Sequence, residues 1–222
     1  MILLNAVYFK GEWISKFKQS KTHKMTFYNL GTNEIKVDTM NQIEYFPYYE
    51  DKKVKAIELG FKEDFMSAII ILPSEGTDIN KFIDSLYISN NEYTKIIKGF
   101  KNVKVDIQLP KFELDFSQNL NKILKDLGMY NAFSDTKADF TGLRKISGLF
   151  INNIIQKTYL KVFEDGCEAA AVTAETDIDG ALPEIEKIYD MRVNRPFLFL
   201  LKNSKLQDEL NLIFMSKIEK LE

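Results

Sequence analysis

Apolar and polar residues alternate along 103–109, with Val103, Val105, Ile107 and Leu109 on one side and Lys104, Asp106 and Gln108 on the other. Successive side chains of a strand point to opposite faces, so this pattern predicts a half-buried strand. Pro110 should end its ladder, because proline has no N–H to donate. Further strands are predicted at 3–10, at 54–59 and 66–72 as a pair around "GFKEDF", and in the tail segments "PFLFLL" and "LNLIFMSKI". The segment 147–163 should be a central strand that runs directly into a loop at Gly166. Short amphipathic helices are predicted at 78–87 and 91–100. The strongest helical pattern is at 117–128, where Ser117 could cap the start. There Leu120, Ile123, Leu124 and Leu127 make one apolar stripe, and Gly128 suits the stop. The fold class is α+β. No repeat, low-complexity tract or linker interrupts the chain, so residues 1–222 are expected to form one domain.

One strip fits neither pattern. "EDGCEAAAVTAET", Glu164 to Thr176, follows the strand-like "LFINNIIQKTYLKVF" yet is too small for a core and too apolar for an ordinary loop. Its "EAAA" would also suit a helix-favouring surface run.

Composition removes several functions. The formal net charge of -2 supplies no general field to draw nucleic acid or an acidic membrane surface. Apolar runs such as "SAIIIL" are too short for a membrane-crossing helix. The opening residues have no basic leading segment or small-residue cleavage site, so no secretory signal is expected there. A single cysteine, Cys167, excludes an internal disulfide. A single histidine, His23, excludes a zinc site of the usual Cys/His kind, and neither metal nor cofactor is expected. His23 lies in the polar stretch "KQSKTHKM" and should be an exposed surface residue, which leaves a Ser-His-Asp hydrolase unsupported. Phosphate-cradling glycine loops are absent, and the acids Glu63 and Asp64 read as a solvated turn. The chain is therefore not expected to be an enzyme.

Five segments, in order, resemble the C-terminal part of a serpin, the protease-inhibitor family that traps its target by inserting a loop into its own sheet. They are "LLNAVYFKGEW" (3–13), "MSAIIILPSEG" (66–76), "QLPKFELDFSQNLNKILKDLGMYNAFSDTKADFTGL" (108–143), "IIQKTYLKVFEDGCEAAAVTAET" (154–176) and "VNRPFLFLLKN" (193–203). The resemblance implies mixed sheets with short helices and an exposed reactive-centre loop at about 164–190, forming an incomplete serpin domain. It makes the strange strip a hinge, comprising Glu164, Asp165, Gly166, Cys167, Glu168, Ala169, Ala170, Ala171, Val172 and Thr173. If Cys167 points inward on insertion, Ala169, Ala171 and Thr173 follow it, while Glu168, Ala170, Val172 and Ala174 face out. Trp13 matches the tryptophan at the breach, where the loop first enters. Glu164 is expected to pair with Lys111. Asn5 matches the asparagine of the shutter, and Gln156 stands where its usual histidine partner would be.

The sequence also departs from the family. The family's N-terminal half has no counterpart here, so the strand at 3–10 should expose an edge and apolar side chains, and the chain should fold poorly or need a partner. Glu175, Asp177 and Asp179 would point inward on full insertion and oppose it, since a buried, unpaired carboxylate is costly. Ser216 stands where the family favours glycine. Counting from Glu164 places the reactive bond at Gly180–Ala181. One residue earlier lies Asp179–Gly180, inside "TDIDG", and this is the favoured site; Leu182 is disfavoured by Pro183. The implied function is inhibition of a serine-type, or at an aspartate bond cysteine-type, endopeptidase, with an elastase-like or aspartate-directed protease as partner. The alternative is a non-inhibitory remnant that serves as a binding or storage module. The resemblance implies an extracellular setting, and the absence of a signal at this start is compatible with a cytoplasmic one.

Overall fold

The alternating segment is a strand in the computed structural model, running from Lys101 to Pro110 with Val105, Ile107 and Leu109 wholly buried. The structure describes residues 1–62, 65–88, 90–143, 145, 148–167, 187–206 and 211–222. In chain order the strands are β1 (Ile2–Tyr8), β2 (Gly11–Glu12), β3 (His23–Asn29), β4 (Asn33–Glu50), β5 (Val54–Gly60), β6 (Met66–Pro73), β7 (Lys101–Pro110), β8 (Phe112–Asn119), β9 (Asn153–Phe163), β10 (Gly166–Cys167), β11 (Tyr189–Arg192), β12 (Phe197–Asn203) and β13 (Leu212–Ile218). The helices are α1 (Ile79–Ile88), α2 (Asn90–Lys98) and α3 (Asn121–Asp126). Two units result: residues 1–9 with 113–161, and residues 10–112 with 162–222.

The larger unit is built on the strand order β11-β7-β4-β5-β6-β12-β13, with β3 also paired to β4. β4 has 18 residues and changes partners along its length. Residues 33–39 pair with β3, 39–48 with β7 and 48–50 with β5. β6 is the run "MSAIIILP", whose Ile69, Ile70, Ile71 and Leu72 are all buried; an unbroken apolar strand is one covered on both faces. On one face α1 and α2 supply Ile79, Phe82, Leu86 and Ile96 to a core with Val54, Ala56, Ile69, Ile71, Leu198 and Leu200. A second apolar cluster joins Phe112 edge-on to Phe197 and Phe199, at 5.7 and 5.4 Å between ring centres, and Phe27 edge-on to Phe197. Each fully buried side chain of this size contributes about 1.5–3 kcal/mol relative to exposure.

In the smaller unit β9 is central. β1 runs parallel to it in the register Ile2↔Asn153 to Tyr8↔Tyr159, and β8 pairs with its other edge. Among the described residues β1 pairs with β9 alone, and Ile2, Leu4 and Tyr8 are more than half exposed. The expected exposed edge is therefore present.

The predicted helix at 117–128 needs correction. Strand β8 continues to Asn119, so Ser117 lies in a sheet and caps nothing, and the helix is only Asn121–Asp126. Its first N–H, of Asn121, is met by Asn119 Oδ1 at 2.9 Å instead. No residue of α3 is buried, and Ile123 and Leu127 of the expected stripe are exposed. Pairing with β9 outweighs local helix preference here, because each ladder bond satisfies a backbone group that the capping serine could only partly serve. Gly128 does stop the helix, at φ +98°, where it donates its N–H to Lys125 O at 2.8 Å. The long strand β4 and its partner β3 were not among the predicted elements; their mixed polar sequence carries no clean alternation.

Candidate functional site

The chain turns sharply at the end of β9. Val162 and Phe163 lead through Glu164 and Asp165 into β10, which pairs antiparallel with them in the register Gly166↔Phe163 and Cys167↔Val162. The other edge of β10 pairs antiparallel with β2, Gly166↔Glu12 and Cys167↔Gly11. The first residues of the unusual strip are thus a strand seated between two others.

Gly166 is required by this seat. Its φ is +143°, and a Cβ there would lie 2.1 Å from Gly11 O and 2.7 Å from Glu12 Cα. Cys167 is completely buried, and burial pushes its thiol pKa far up, so it stays protonated.

The segment after β2 cradles the turn. Trp13 is buried and stacks on Phe61, 4.4 Å between ring centres and 15° between planes. Its indole Nε1 donates to Phe163 O at 3.0 Å, and its backbone N–H to Asp165 O at 2.9 Å. Phe17 donates its backbone N–H to Glu164 O at 3.0 Å.

The side chain of Glu164 is only 9% exposed and makes three contacts with two side chains. Lys111 Nζ is 3.0 Å from Oε2 and 3.1 Å from Oε1, and Thr22 Oγ1 donates to Oε1 at 2.7 Å. Burial alone would raise this carboxyl, but the bonds from Thr22, its own backbone N–H and Lys111 prevail and hold it below the ordinary carboxylate range. Asp165 turns the other way, to Lys16 Nζ at 3.1 Å.

The structure therefore brings together Trp13, Lys111, Glu164, Asp165, Gly166 and Cys167. Asn5 and Gln156 belong to the smaller unit, where they are register partners on β1 and β9. Among the described residues no hydrogen bond joins their side chains. Glu168, Ala169, Ala170, Ala171, Val172, Thr173, Asp179, Gly180 and Ala181 lie outside the described residues. His23 is exposed, with Nδ1 3.0 Å from Lys21 O and no place in this site. Sequence reasoning missed Thr22, Phe61 and Lys16. Thr22 sits in the polar stretch "KQSKTHKM", Lys16 lies between Ile14 and Phe17 with no motif around it, and only their long-range partners distinguish them.

A family model described as "Serpin (serine protease inhibitor)" matches residues 1–220. The chain belongs to the serpin family. Human Serpin B11 is 31% identical over 92% of this chain and 52% of its own length. Leukocyte elastase inhibitor A of Rattus norvegicus is 31% identical over 98% of this chain and 58% of its own. The crystal structure of tengpin, a thermophilic serpin in the native state, superposes with a TM-score of 0.82 at 30% identity, over 99% of this chain and 55% of that one. The chain spans about half the length of the serpins it matches. Among its described residues no helix is long and apolar enough to cross a membrane.

Proposed function

We propose that this serpin chain inhibits an endopeptidase as a suicide substrate, by inserting the segment after Cys167 into the sheet as a new strand. Residues 1–222 then act as one partial domain whose reactive-centre loop occupies about 164–190. The observation that most supports the reading is β10, where Gly166 and Cys167 already sit between β2 and the end of β9. Strand addition would continue from that start, with the alternation carrying Ala169, Ala171 and Thr173 inward after Cys167. All are small enough to pass between packed strands, and release of a strained loop can drive such a change. Trp13, Lys111 and Glu164 serve as the breach, and Asn5 and Gln156 as the shutter.

The reactive bond is Asp179–Gly180, with Gly180–Ala181 as the alternative. The first suits an aspartate-directed protease. The second suits an elastase-like one, a target class that the name of the rat relative supports. Incubation with both kinds should give a complex that survives SDS. Cleavage of the loop with no such complex for any protease would overturn the proposal.

A second reading has its own support. Ile2, Leu4 and Tyr8 of β1 present an apolar surface that a binding partner would cover. A non-inhibitory remnant serving as a binding or storage module would be cleaved without trapping anything.

A further inference from the structure

We infer, with the inhibitor reading supplying its functional consequence, that Lys16 is a positioning residue whose ammonium clamps Asp165, at the foot of the hinge, to Glu12 on β2. Lys16 Nζ lies 3.1 Å from Asp165 Oδ1 and 3.2 Å from Glu12 Oε2. Glu12 Oε2 also receives Lys62 Nζ at 2.8 Å. The contacts thus alternate in sign from Lys62 through Glu12 and Lys16 to Asp165. This is no surface pair: the Lys16 side chain is only 16% exposed, and those of Glu12 and Asp165 are 24% and 32% exposed. Burial would lower the Lys16 pKa, but hydrogen bonding to Asp165 and Glu12 holds it above its ordinary value. The clamp therefore stays charged at neutral pH.

Its position gives it leverage. Asp165 directly precedes Gly166, and Glu12 is the register partner of Gly166. Both carboxylates reach the same nitrogen, so without it two like charges would face each other across the seat of β10. Glu164 is held separately, by Lys111 and Thr22. The two consecutive acids of the hinge are thus fastened by different cations, and Lys16 can be removed with the Glu164 contacts intact.

Cys167 is the chain's single cysteine and is wholly buried, so its labelling by a thiol reagent reports the unseating of β10. Lys16→Met should raise the labelling rate about tenfold or more with an unchanged urea midpoint, while Lys16→Arg should stay near the native rate. Adding Glu12→Gln and Asp165→Asn to Lys16→Met should restore most of the protection, because no like charges then remain. In 0.5 M salt the native chain should label faster and the neutral triple variant should not change, a charge-specific response that a packing role would not produce.

A Lys16→Met rate equal to the native one overturns the clamp, as does an arginine variant as labile as the methionine one, or a rise that merely follows a lower urea midpoint. Should Lys16→Met fail to fold, Asp165→Asn alone replaces it; a several-fold rise supports the clamp and no change overturns it. Labelling needs no protease. Faster labelling in Lys16→Met, with no SDS-stable complex from the native chain, would uphold the clamp and remove the inhibitor reading. Flat labelling with complexes formed would do the reverse.

Discussion

The indole N–H of Trp13 reaches the carbonyl of Phe163 across 150 positions of sequence, at 3.0 Å. It ties the segment after β2 to the end of β9 just where the chain leaves the sheet. Trp13→Phe should keep the stack on Phe61 and lose this partly buried bond, at a cost of about 0.5–1.5 kcal/mol. Trp13→Ala should cost about 3–5 kcal/mol, because a large void is added. Urea unfolding of both variants against the native chain measures the two losses, and no loss in Trp13→Phe would mean the hydrogen bond contributes nothing.

Gly166 has no tolerated substitute. Gly166→Ala places a methyl group against the backbone of Gly11 and Glu12 at a positive φ, so β10 cannot stay between its neighbours. Hydrogen exchange over 160–167 should lose protection in the variant, while the core strands β5 and β6 keep theirs. Unchanged exchange would show that the seat adapts.

Replacing Glu164 by Gln should remove its ion pair with Lys111 and weaken its bond from Thr22. Lys111 is about a third exposed, which tempers the loss to about 1–2 kcal/mol. The carboxyl's folded pKa is lowered, so the unfolded state binds more protons in acid. The stabilisation is complete above the ordinary carboxylate range and disappears as pH falls through the folded value. The variant's stability should therefore converge on the native chain's in acid, as read from urea midpoints.

A second acid-sensitive site lies far from the hinge. Burial would raise Asp51, but Lys95 at 2.7 Å, the N–H of Lys53 at 2.8 Å and the Tyr49 hydroxyl at 2.8 Å bring its pKa down to about 2. Its folded value lies below its unfolded one, so its contribution is present above pH of about 4 and lost as pH falls towards about 2. Asp51→Asn should flatten that part of the stability profile. An unchanged acid limb would refute the assignment.

Ala170 and Ala171 separate the two readings of function. If insertion follows the alternation begun at Cys167, Ala171→Arg carries a charge into a packed layer and should abolish inhibition, leaving the loop cleavable. Ala170→Arg faces outward and should be tolerated. Equal effects on protease inhibition would show that this register is wrong.

Much of the fold was legible because its core strands obey a simple period. The alternation at 103–109 and the unbroken apolar run of β6 could be read directly, since burial on one or both faces dictates them. β4 could not be read, because its partner changes twice along its length and no single face is buried throughout. Ser117 misled for a related reason: a serine before an apolar stripe looks like a cap, and only the neighbouring β9 reveals a strand. At the site, Trp13, Lys111 and Glu164 entered through family resemblance. Lys16 and Thr22 carry no local signal, since such a polar side chain acquires meaning only from what folds against it.

The parallel pairing of β1 with β9 has a consequence for how the chain is made. β1 must wait for a partner that lies about 150 residues later. At ribosomal rates of roughly 5–20 residues per second, that is an interval of about 8–30 s. Throughout it, the segment "ILLNAVY" is made while the strand it pairs with among the described residues is not. Contacts of such separation also slow folding after release, because loop closure precedes any gain from the ladder. Until β9 is made, β1 thus lacks the strand it pairs with here, and a holding chaperone could cover it in that interval.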